Sequence, residues 1–289
     1  MSAPDEVPYI PVGTDFMQIV RSQEDACDAL TRQRLPFLGK RAPALVVELG
    51  TLLSWLDRAG SCWWGCANGD HLVEHAVAGS CGTVRAGLRL AYLGFYDEAL
   101  SLSRFVGERA NLLALFKAEP ASIDHWRNGD ESARRRDFSA VRVRVALEKA
   151  GKPIPTPEER YRQLSSFGSH PGRTPQRHDP RIPPRMGGVF NEAGLLLALN
   201  ELARGLILVA AFSAPLLPGK SIPRREIVSA ALATAEQIGG ANVMDIDGLW
   251  ETVTTAESIA PSLIKQPQVG ESSIEAENAS PPPFGHHPG

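Results

Sequence analysis

The stretch FYDEALSLSRFVGERANLLALF, from Phe95 to Phe116, decides the fold. Phe95, Ala99, Leu102, Val106, Leu113 and Phe116 recur along it at helical spacing. Asp97, Ser101, Arg104, Glu108 and Asn111 follow at steps of four, three, four and three, so all five share one side of that helix. Two readings of this polar row are open. It is a solvated face with one Arg104–Glu108 ion pair, worth about 0.3–0.5 kcal/mol, or it turns inward to a polar cleft. Leu102, Phe105, Leu112, Leu113 and Leu115 make the helix apolar around most of its circumference, the pattern of a buried helix. The inward reading is the working hypothesis. A buried Arg–Glu pair demands further hydrogen-bond partners, and such groups gather at functional sites.

Outward from this helix the chain keeps the same period. Thr14 or Asp15 is placed to cap a helix running towards Leu30. Arg41 to Trp55 reads as a second, with Pro43 in its first turn, where a missing N–H costs nothing. Asp70 is placed to cap a third over His71 to Leu93, stopped by Gly94. Ser139 to Ala150 is ambiguous. Val141-Arg142-Val143-Arg144-Val145 alternates like a strand, whereas Ala146 to Gly151 ends like a helix. No other segment could pair with such a strand, so a helix is expected. Pro153, Pro155 and Pro157 form a stiff connector, and Glu158 to Phe167 a short helix. Phe190 to Ala214 and Arg224 to Ile238 read as the last two helices. The expected fold is an all-α helical bundle over residues 14–255. A flexible arm at 1–13 precedes it, a proline- and arginine-rich loop at about 169–184 interrupts it, and a disordered tail rich in Pro, Ser, Glu and Gly occupies 256–289.

Composition agrees with a globular domain. Of 289 residues, 43% are apolar and 22% charged, enough to bury a core without disulfides or metal. A net charge of −3 excludes a protein coated in basic charge. Four cysteines are too few for a disulfide framework in a chain of this size, so reduced thiols are expected. Met1 to Gly13 has neither a basic start nor an apolar run, so no secretory signal is expected and the cytoplasm is the expected compartment. The longest uncharged apolar run, Gly205 to Pro218, falls short of the roughly 20 residues of a membrane span and reads as part of a core helix, with no membrane partner.

Two other segments carry chemistry. Residues 160–185 hold six arginines (Arg160, Arg162, Arg173, Arg177, Arg181, Arg185) against one acid, Asp179, a local charge of +5. Arginines bind phosphate through paired hydrogen bonds, although such a loop can equally pair with acidic helices of its own chain. Tyr161 and Ser165 share a helix face there, and His170, at the helix end, brings an imidazole, a group able to serve as acid or base. The second segment, Cys62-x3-Cys66-x4-His71-x3-His75-x5-Cys81, offers soft donors, with His71 and His75 one helical turn apart. His71-Leu72-Val73-Glu74-His75 matches only the inverted order of a zinc protease motif. Buried thiols and surface histidines are the expectation, with no metal and no cofactor.

Arg104-x3-Glu108-x2-Asn111 followed by Tyr161-x3-Ser165-x4-His170 resembles uncharacterised bacterial all-helical proteins, which in turn resemble the HEPN superfamily (higher eukaryotes and prokaryotes nucleotide-binding) over about residues 70–215. That resemblance implies a helical bundle, a homodimer, and a nucleotide or RNA ligand. Many members are metal-independent ribonucleases, with an arginine four to six residues before a histidine. Here seven residues separate Arg162 from His170, and four separate Arg173 from His178. The implied catalytic residues are His170, Arg162 and Tyr161. Those implied for ligand binding are Arg104, Glu108, Asn111, Ser165 and Arg173. The expected function is binding or cleaving a nucleotide or RNA phosphate. The alternative is a non-enzymatic scaffold that docks an acidic partner through the basic loop.

Overall fold

The computed structural model describes residues 16–65, 71–168, 188–217 and 222–238. Among these residues every regular element is helical. Helix α1 spans Phe16–Arg34, α2 Arg41–Gly60, α3 Leu72–Tyr92 and α4 Tyr96–Ala118. Then come the short helices α5 (Ala121–Asn128), α6 (Glu131–Asp137), α7 (Ala140–Lys149) and α8 (Glu158–Gly168). The long α9 (Glu192–Ser213) and α10 (Arg224–Gln237) complete the described set. The expected all-α bundle is therefore what forms. The arm at 1–13, the loop at 169–184, the tail at 256–289 and the capping candidates Thr14, Asp15 and Asp70 lie outside the described residues.

Helix α9 is the axis of the core. It packs against α2, α3, α4 and α10, and α3 also packs on α4. Its length and apolar composition would suffice to cross a membrane, yet 78% of that apolar window is buried inside the fold. Leu195, Leu199, Leu202 and Leu206 meet Val84, Ala91, Val106 and Leu113 in one continuous core. The α3–α4 corner is set by Gly94, whose φ of +83° is open to glycine at little cost. Phe95 N–H donates to Leu90 O at 2.9 Å and Gly94 N–H to Ala91 O at 3.1 Å, closing the end of α3.

The ambiguous Ser139–Ala150 stretch is helix α7. Val143 and Leu147, one turn apart, are buried, while Val141 is exposed, so the apparent alternation was a by-product of where the valines fall. Two helices escaped sequence reading. Neither α5 nor α6 has an apolar stripe; their order comes from elsewhere. The Asp130 side chain accepts from Ala133 N–H at 2.7 Å to cap α6. Phe116, Trp126 and Phe138 then meet edge to face, with ring centroids 5.0 to 6.4 Å apart.

Candidate functional site

The connector between α7 and α8 fixes the site. Asn111, in α4, grips it with both amide atoms: Nδ2 donates to Thr156 O at 2.9 Å, and Oδ1 accepts from Thr156 N–H at 2.7 Å. Both residues are buried. Gly107 lies one turn away, where a Cβ would come within 2.7 Å of Thr156 Oγ1. The missing side chain lets the connector lie against α4, and α8 then packs along the polar row.

The row does turn away from bulk water. Asp97 and Asn111 are buried, and the side chains of Arg104 and Glu108 are 18% and 29% exposed. Arg104 Nε sits 3.5 Å from Glu108 Oε1, and Nη1 makes a long hydrogen bond of 3.5 Å to Ser165 Oγ. Ser165 Oγ itself donates to Tyr161 O at 2.8 Å. The Arg104 guanidinium also lies 4.9 Å from the Phe105 ring centroid and 5.4 Å from that of Tyr161. α4 and α8 thus bring Arg104, Glu108, Tyr161 and Ser165 together.

A residue that the sequence reading did not single out completes the group. The Arg144 guanidinium, from α7, lies 4.7 Å from the Tyr161 centroid. Arg144 is only 7% exposed. Among the described residues it makes no hydrogen bond and no ion pair, and its Nη1 is fully buried. Arg104 Nε and Ser101 Oγ are likewise buried without a hydrogen-bond partner. A buried cation costs several kcal/mol unless something compensates it. Two guanidinium groups thus flank one phenol ring, and each keeps a buried donor without a hydrogen-bond partner. A sequence signal for Arg144 exists: it falls three residues before buried Leu147 and so on its inward face.

The other expected site residues fall elsewhere. Arg162 is 73% exposed and pairs at 3.7 Å with Glu158 on the solvent side of α8. His170 and Arg173 lie outside the described residues. Both amide atoms of Asn111 are engaged by the connector.

A second hollow, of about 260 Å³, lies on the opposite flank of α8 and is lined by Ser103, Thr156, Arg160, Glu201 and Arg204. Arg160 forms a double contact with buried Glu201, with Nε at 2.9 Å, and donates to Gln163 Oε1 at 3.1 Å. Arg204 Nε lies 3.8 Å from the same carboxylate. Burial lowers the pKa of both guanidinium groups, and Arg204 adds to the effect at Arg160. Here a protein carboxylate already answers the cations. Around Tyr161, among the described residues, Glu108 pairs with Arg104 and no carboxylate pairs with Arg144.

No family model, curated protein or solved structure matches the chain. The chemistry of the Arg104–Tyr161–Arg144 group therefore carries the functional reading.

Proposed function

We propose that the cleft between α4, α7 and α8 binds a phosphate group of a nucleotide or RNA. The observation that carries this is Arg144, a cation 7% exposed with no protein acceptor among the described residues. A guanidinium offers phosphate two parallel donors, and Arg104 adds a second fork across the same ring. A hollow of about 250 Å³ beside Glu108, lined by Phe105, Leu112, Trp126 and Phe138, gives an attached base an aromatic wall. The HEPN-like resemblance implies the same ligand class, and the +5 charge of residues 160–185 would draw in a polyanion.

The test is a titration of the full chain with a labelled short RNA and with a nucleoside monophosphate, at low and at physiological salt. Binding is expected to be competed by inorganic phosphate and weakened about 10- to 150-fold by Arg144→Met, the equivalent of one or more charge-assisted hydrogen bonds. Equal affinity in both proteins removes the proposal. Catalysis is a separate question with its own assay. RNA cleavage by the wild type that His170→Ala abolishes assigns His170 as acid or base. Equal cleavage in both, or none in either, leaves a binding module.

A further inference from the structure

Three side chains of different chemistry converge where the end of α2 meets the start of α3. Cys62 follows α2 with a left-handed φ of +54°, and His71 stands just before α3. Cys62 Sγ lies 3.3 Å from His71 Nδ1. His71 Nδ1 lies 3.7 Å from Glu74 Oε1. All three ligand atoms fall within 4.8 Å of one another. Tetrahedral zinc, with bonds of about 2.3 Å to sulfur and about 2.0–2.2 Å to nitrogen and oxygen, holds its ligand atoms roughly 3.3–3.6 Å apart. Small rotamer adjustments bring the observed atoms to that spacing.

Glu74 supplies the independent observation. It is 4% exposed, and its carboxylate is paired with the His71 ring, Oε1 to Nδ1, at 3.7 Å. Among the described residues the ion pair it makes is with the His71 ring, which is charged only when protonated. A buried carboxylate with so little compensation calls for a positive charge beside it. A dication between Glu74, His71 and Cys62 would supply it.

We propose that Cys62, His71 and Glu74 bind a divalent transition-metal ion, with zinc favoured by the thiolate–imidazole–carboxylate donor set. Three protein ligands leave the fourth tetrahedral position to water or to an incoming ligand. This proposal departs from the expectation of no metal drawn from the sequence, and the reason is geometric. His71 and His75 were the obvious pair. Instead His75 faces solvent, its ring centroid 6.3 Å from that of His71, while Glu74 turns inward beside Val73 and Val77. The third donor comes from the preceding helix end.

The test uses the full chain purified without chelators. Elemental analysis is expected to find about one zinc per chain, either as purified or after loading with zinc. Replacement by cobalt is expected to give a thiolate-to-metal charge-transfer band that Cys62→Ser abolishes. The isosteric Glu74→Gln is expected to keep that band and weaken zinc binding by at least the roughly 10–100-fold seen for loss of an outer-shell partner. Circular dichroism on each variant separates loss of metal from loss of fold. Should Cys62→Ser fail to fold, the Glu74→Gln affinity decides alone. Less than about a tenth of a zinc per chain after loading overturns the proposal. So does a cobalt spectrum unchanged in Cys62→Ser, or a zinc affinity unchanged in Glu74→Gln.

Discussion

Replacing Arg144 with Met is expected to stabilise the protein and weaken its ligand binding at the same time. Arg144 is 7% exposed, and its guanidinium has no hydrogen bond or ion pair among the described residues. It lies over the Tyr161 ring at 4.7 Å, a contact worth about 2 kcal/mol when desolvated. Against this stands a desolvation penalty of several kcal/mol for a buried ion. Methionine fills the space of the aliphatic stem, adapts to irregular gaps and carries no charge. Taking that penalty as about 3–4 kcal/mol and subtracting the ~2 kcal/mol of the lost cation–π contact leaves a net gain of about 1–2 kcal/mol, raising Tm by ~2–8 °C. The same change removes the ligand's main donor and weakens binding about 10- to 150-fold. Denaturant unfolding in phosphate-free buffer reads the first effect, and the RNA titration reads the second. A variant less stable by more than about 1 kcal/mol, with unchanged binding, refutes the reasoning, because the guanidinium would then have its partner inside the protein.

Three further outcomes are expected. Asn111→Ala removes both hydrogen bonds to Thr156 and strands two buried backbone groups, costing about 2–4 kcal/mol in urea unfolding; a loss under about 0.5 kcal/mol would show that the connector does not depend on this grip. Gly107→Ala places a Cβ 2.7 Å from Thr156 Oγ1 and displaces the connector, with a loss of about 1–3 kcal/mol and weaker RNA binding because α8 moves with it. Stability also falls on the alkaline side. Burial raises the Cys81 thiol from 9.0 to about 12 and the Tyr96 phenol from 10.0 to about 12. The unfolded chain therefore loses these protons first, and above pH 9 stability drops by ~1.4 kcal/mol per pH unit from Cys81 alone. Cys81→Ala makes the fall above pH 9 shallower, leaving the contribution of the Cys27 thiol, which burial also raises, until Tyr96 begins to act near pH 10. A urea midpoint constant between about pH 8 and pH 11 contradicts this.

How much could be read from the sequence follows from what each residue does. α3, α4 and α9 were legible because each buries a broad apolar face, which writes a helical period into the chain. α5 and α6 were not, because their order depends on Phe116, Trp126 and Phe138 meeting across the chain and on a single cap at Asp130. Within the site, spacing alone put Arg104 with Glu108 and Tyr161 with Ser165. That the polar row would meet the Tyr161–Ser165 helix was expected from the resemblance and not from spacing. That depends on Asn111 binding the backbone of Thr156, and a contact to backbone leaves no trace in residue type. Arg144 was hidden by the valine alternation around it. The pairing of Arg160 with Glu201, which Arg204 also approaches, appears only when α8 is laid beside α9.

The most direct measurement is a crystal structure of the full chain grown with a nucleoside monophosphate. The reading of the cleft predicts phosphate oxygens about 2.7–2.9 Å from the Arg144 and Arg104 guanidinium groups, with the base against Phe105. An Arg144 guanidinium already bonded to a carboxylate or carbonyl of the protein, with the nucleotide elsewhere or absent, would contradict it.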